Sequence, residues 1–96
     1  IAGFRVVATP GHSLGHTSLV SDERGLLLTG DAFGAMPRRL RVGVRRAFCA
    51  DPALARRSAE KLLEEDYRVV AFSHGPVLRG DPKSRLRQVV AECRYL

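Results

Sequence analysis

Thr9-Pro10-Gly11-His12-Ser13-Leu14-Gly15-His16-Thr17-Ser18-Leu19 decides the fold, because it ends one apolar run and begins the next. Upstream, residues 4–9 (Phe-Arg-Val-Val-Ala-Thr) read as a strand that Pro10-Gly11 stops. Downstream, residues 17–21 read as a second strand, and Asp22-Glu23-Arg24-Gly25 as a turn with Gly25 suited to a positive φ. Leu26-Leu27-Leu28-Thr29 then returns as the other arm of a hairpin. The next segment, 32–50, reads as irregular and carries Arg38, Arg39, Arg41, Arg45 and Arg46.

Two helices follow from one local signal. Asp51-Pro52 and Asp81-Pro82 each place an N-cap carboxylate before a proline at the first helical position. Leu54, Ser58, Ala59, Leu62 and Leu63 trace the inner stripe of the first helix, with Arg56/Glu60 and Lys61/Glu65 as outer pairs. Leu86, Val89, Val90 and Cys93 trace that of the second, which the pattern carries to the C-terminus. Between them 68–72 (Arg-Val-Val-Ala-Phe) is a strand. The order is β, β-hairpin, α, β, α, an α/β unit. Leu26–Leu28 and Val69–Phe72 are apolar without alternation, as in strands buried on both faces. Two helices cover one face of such a sheet, so a second covering layer is expected from elsewhere.

Ninety-six residues suffice for one small domain. A hydrophobic fraction of 45% excludes a disordered chain. No apolar run approaches the roughly 20 residues that span a bilayer, so no membrane partner is expected. The first residue is Ile1 and a strand follows almost at once, which predicts a piece of a longer protein. Cys49 and Cys93 lack metal-type spacing and read as buried free thiols, which points to the cytoplasm. Net charge is +6, with fourteen arginines among sixteen basic residues, and this raises nucleic acid or another polyanion as a partner. Aromatics are scarce and none interleaves with the arginine cluster, which speaks against nucleic acid.

Chemistry gathers at the strand ends. His12, His16, Asp31 and His74 each stand beside a glycine where a strand-like run gives way to a turn. Imidazole and carboxylate converging from separate loops suit Zn²⁺ or another first-row divalent ion. Each is equally compatible with a plain structural role: a hydrogen-bonded histidine, or a carboxylate capping a turn.

The first string resembles the TPGH-xx-GH segment of the metallo-β-lactamase-fold hydrolases. Leu27-Leu28-Thr29-Gly30-Asp31 resembles their LLTGD segment, and Ser73-His74-Gly75 their terminal SHG segment. Order, spacing and strand context match over roughly residues 4–80. The resemblance implies that His12 binds a first metal, Asp31 bridges two metals and His74 binds the second. The ions would be Zn²⁺, one or two of them, with Fe or Mn in some branches. His16 matches a histidine that is common in the motif but is not a ligand, and is expected to orient a neighbouring group.

The family's HxHxDH segment is absent here, and it belongs to the N-terminal half of a four-layer αββα sandwich. The chain is therefore expected to be the C-terminal half of that sandwich: residues 1–96, a mixed sheet with helices on one face, its other face meeting the N-terminal half. The resemblance implies a metal-dependent hydrolase of a small-molecule substrate in the intact form, with this chain inactive alone. Arg38, Arg39 and Arg41 are candidate contacts to an anionic substrate; a solvated basic loop is the alternative. The remaining alternatives are a non-catalytic, partner-binding half-domain, and polyanion binding through Arg38–Arg46.

Overall fold

The two unbroken apolar runs lie side by side. In the computed structural model, which describes residues 3–34, 40–43, 50–73 and 75–92, β3 (Leu26–Leu28) pairs in parallel with β6 (Val69–Ala71). Parallel neighbours need a crossover, and α1 (Pro52–Leu62) lies within the one that joins them. On the other side β3 pairs antiparallel with β2 (Thr17–Ser21), which pairs antiparallel with β1 (Arg5–Ala8). The sheet is therefore mixed, in the order β1-β2-β3-β6. Gly25 takes φ +60° in the β2–β3 turn, and its carbonyl accepts from Arg68 and Val69 N–H at 2.8 and 3.1 Å. The hairpin turn thus also sets where β6 starts.

Segment 32–50 is not irregular throughout. Phe33–Gly34 (β4) and Arg41–Val42 (β5) form a small antiparallel pair. Phe33 and Val42 are fully buried and join the main core. The sequence hid this because each strand is only two residues long, too short to show a period. Arg38, Arg39, Arg45 and Arg46 lie outside the described residues, as do both cysteines.

Both helices start as their caps dictate. Asp51 accepts from Leu54 N–H at 3.1 Å and Pro52 opens α1. Asp81 accepts from the Ser84 hydroxyl at 2.6 Å and Pro82 opens α2 (Pro82–Ala91). The buried stripe of α1 is Ala55, Ser58, Ala59 and Leu62, with Ala55 in place of the expected Leu54. The cause is a loop crossing the first turn of α1: a Cβ on Gly11 would stand 2.3 Å from the Ala55 Cα. Only a small side chain allows that approach. Arg56 and Glu60 pair at 3.9 Å as expected. Lys61 does not take Glu65; its ammonium donates to the Ala8 carbonyl at 2.7 Å, while Glu65 accepts from Arg5 at 2.8 Å.

The core occupies one face of the sheet. Val7, Val20, Leu27 and Val70 point into it, packed with Ala59, Leu62, Leu86, Val89 and Val90 of the helices. On the opposite face the register aligns Val6, Leu19, Leu28 and Ala71 in one row across all four strands. None of those four is fully buried. The architecture is a mixed sheet with helices on one face. Among the described residues no helix is long and apolar enough to cross a membrane.

Candidate metal centre

The loop carrying His12 is fastened to the start of α1 through three successive carbonyls. Ser58 Oγ donates to Pro10 O at 2.7 Å. Asp51 N–H donates to Gly11 O at 2.9 Å, and Ala50 N–H to His12 O at 3.2 Å. Gly11 sits at φ +145° against Ala55, a conformation and a closeness open to glycine alone. At its base the loop closes with Thr9 N–H donating to His16 O at 3.0 Å.

Asp31 sits in a single 3₁₀ turn, Gly30–Ala32, directly after β3. Gly30 adopts φ +59° and turns the chain out of the sheet. Thr29 N–H donates to Ala71 O at 2.9 Å, continuing the β3–β6 ladder up to the turn. His16 holds the turn from the other side: its Nε2 accepts from Asp31 N–H at 2.9 Å. Its Nδ1 lies 2.9 Å from Thr9 Oγ1 and 3.1 Å from Thr9 O.

These two loops bring His12 Nε2 within 3.3 Å of Asp31 Oδ2, with each side chain about a quarter exposed. That separation exceeds the roughly 2.9–3.0 Å mode of an N–H···O hydrogen bond. It equals the spacing of two ligands on one tetrahedral ion, since bonds of about 2.0–2.1 Å at the tetrahedral angle set them about 3.3 Å apart. His12 Nδ1 is buried and has no hydrogen-bond partner among the described residues. One nitrogen and one oxygen donor at this separation, reachable from solvent, fit a divalent cation.

His74 lies outside the described residues. Its neighbour Ser73 donates its N–H to Gly30 O at 3.4 Å, so the exit of β6 lies against the Asp31 turn. Among the described residues no three His, Cys, Asp or Glu side chains gather into one cluster. Arg41, expected on a basic loop, is instead a buried residue of β5, 4% exposed. That departs from a uniformly solvated loop.

Thr9 and Ser18 escaped sequence reasoning. Each is polar at an inward-facing position, at 2% and 1% exposure, and their hydroxyls meet at 2.8 Å. The available signal was a hydroxyl at inward strand parity, where Val or Leu is the norm.

The sequence profile described as "Metallo-beta-lactamase superfamily" matches residues 1–74. The chain belongs to the metallo-β-lactamase superfamily. Solved structures agree on the fold. An archaeal metallo-β-lactamase superfamily protein from Sulfolobus tokodaii superimposes with a TM-score of 0.71 at 22% identity, over 93% of this chain and 32% of that one. A metallo-β-lactamase family protein from Thermus thermophilus gives 0.70 at 30% identity, over 93% and 29%. A third, solved in a di-iron-bound form, gives 0.70 at 30% identity, over 90% and 42%. The chain thus spans between 29% and 42% of the length of these three proteins. No curated protein matches it.

Proposed function

We propose that these residues form one half of a metallo-hydrolase domain, with His12, Asp31 and His74 as ligands of one or two divalent ions. The observation that carries this reading is the 3.3 Å separation of His12 Nε2 and Asp31 Oδ2, residues of two loops that follow different strands. Zn²⁺ suits the donor set; iron is supported by the di-iron-bound neighbour; Mn²⁺ is the remaining candidate. When bound, the ion supplies Lewis acidity, polarising the scissile bond and making water a nucleophile at neutral pH.

The chain's own contribution is placement. α1 fixes the His12 backbone through Ser58, Asp51 and Ala50, and His16 fixes that of Asp31. Three ligands shared between two ions leave each one short, so the 96 residues are inactive alone. The N-terminal half of the same domain, carrying an HxHxDH segment, completes the set and covers the open row Val6, Leu19, Leu28, Ala71. The substrate is a small molecule; Arg38 and Arg39 remain candidate contacts if it is anionic. The same open face suits a second reading, a half-domain that binds a partner without catalysis.

The test has two parts. Calorimetric titration of the chain with Zn²⁺, Fe²⁺ and Mn²⁺ should show saturable binding that Asp31→Ala abolishes; equal binding by both proteins sinks the ligand assignment. Supplying the upstream half should confer hydrolysis of a thioester, lactone, β-lactam or phosphodiester. Metal uptake without hydrolysis of any of these would favour the partner-binding half-domain.

A further inference from the structure

The histidine that the metal reading does not use as a ligand has both ring nitrogens committed. Asp31 N–H is a backbone group and can only donate, so the His16 Nε2 that it meets at 2.9 Å carries a lone pair. The ring proton is then on Nδ1, which faces the Thr9 carbonyl at 3.1 Å, a pure acceptor, and Thr9 Oγ1 at 2.9 Å. The partner of one nitrogen sets the state of the other.

From this point every remaining donor falls into place. Thr9 Oγ1, taking a share of the Nδ1 proton, donates its own to Ser18 Oγ at 2.8 Å. Ser18 Oγ donates to Thr29 O at 2.9 Å. The bonds run one way, from Asp31 N–H through His16, Thr9 and Ser18 to Thr29 O. They begin and end on the same three residues, Thr29-Gly30-Asp31, and clasp them at both ends. Thr9, Ser18 and Thr29 are each at most 2% exposed, so water does not compete for these bonds. A Cβ on Gly30 would lie 2.7 Å from His16 Nε2, so the ring seats directly over a residue that must be glycine.

We infer that His16 is a positioning residue: with its proton on Nδ1, it closes a one-way hydrogen-bond clasp that fixes the backbone of Asp31. Its bonds leave no nitrogen free to ligate. The inference rests on the metal reading for what the clasp serves, and on the geometry alone for its existence. Glutamine at this position keeps an acceptor for Asp31 N–H, whereas phenylalanine keeps the ring volume and loses every bond.

Long-range ¹H–¹⁵N correlation spectra of the metal-free chain read the ring directly. A protonated Nδ1 and a bare Nε2 on His16 are expected, and a proton on Nε2 overturns the inference. In metal-free exchange measurements, His16→Phe should expose the Asp31 amide roughly tenfold, the loss of one hydrogen bond, and His16→Gln should restore most of its protection. Zn²⁺ affinity should fall roughly 10–100-fold in His16→Phe, as when a ligand's outer partner is lost, and recover in His16→Gln. Equal loss in both variants overturns the inference. A wild-type chain that takes up no Zn²⁺ would defeat the metal reading, while the tautomer and the exchange rates would still decide the role of His16.

Discussion

Val7 is 7% exposed and Val6, one residue before it on the same strand, is 59% exposed. The same contrast runs across the sheet: Val20, Leu27 and Val70 are fully buried, while Leu19, Leu28 and Ala71 are only partly so. Both faces are apolar. Apolarity sets what a face can do, and the layer above it sets what it does. On one side that layer is α1, α2 and the β4–β5 pair. Leaving several large apolar side chains uncovered forgoes several kcal/mol at roughly 25 cal/mol per Å², which matters against a total stability of about 5–15 kcal/mol.

The sharpest way to break this comparison is to truncate neighbours. Leu27→Ala opens a cavity between sheet and helices and should cost about 2–5 kcal/mol. Leu28→Ala removes the same atoms from the open face and should cost less than about 1 kcal/mol in this chain. Urea unfolding of the two variants decides it, and equal losses would show that the open face is already packed. Gly11→Ala probes the covered side at its tightest contact. The added methyl must push the His12 loop off α1 at a cost of about 1–3 kcal/mol. Gly25→Ala shares a positive φ but meets only the flexible Arg68 side chain, so it should cost nearer 1 kcal/mol. Thermal melts of the pair give the order.

Much of this contrast was legible in the chain. The unbroken apolar runs at Leu26–Leu28 and Val69–Ala71 announced strands that want cover on both faces, and the Asp-Pro pairs fixed both helix starts. The convergence of His12 and Asp31 was legible through their strand-end glycines. What escaped was set by tertiary contact. Ala55 displaced Leu54 from the buried stripe because of how closely Gly11 approaches, a fact of packing and not of periodicity. Phe33 and Val42 lie on two-residue strands, too short to show a period. The clasp through Thr9 and Ser18 joins positions with no common spacing, and only strand register brings them together.

The open face also has a consequence in solution. In the absence of a covering half the row Val6, Leu19, Leu28, Ala71 should drive self-association, as large exposed apolar patches do. Sedimentation of the chain should show species above the monomer. Leu19→Lys combined with Leu28→Lys should weaken that association at least tenfold, about 1.4 kcal/mol, while leaving the melt of the covered side intact. A monodisperse, monomeric wild type with a sharp cooperative melt would show that the row needs no cover.

The smallest expected effect is at the rim of the covered face, where Arg5 donates from Nε to Asp22 Oδ2 at 2.7 Å and from Nη2 to Glu65 Oε1 at 2.8 Å, tying β1 to the β2–β3 turn and the end of the α1 segment. The hydrogen bond from Arg5 holds the Asp22 carboxyl below the usual carboxylate range. A depressed folded-state value means that the unfolded chain binds the proton more readily. The stabilisation is therefore complete above an ordinary Asp pKa of about 3.9 and is lost as pH falls through the lower, folded value. Asp22→Asn should destabilise the chain slightly at neutral pH and converge with wild type as pH falls below the depressed folded value. Both partners are about half exposed or more, so the difference should also shrink at ~1 M salt, where the Debye length is ~3 Å. Melting temperatures across pH and salt test this. A gap between the two proteins that persists in acid and in high salt would mean that Asp22 acts through packing rather than charge, and that the covered face is closed at its rim by contact alone.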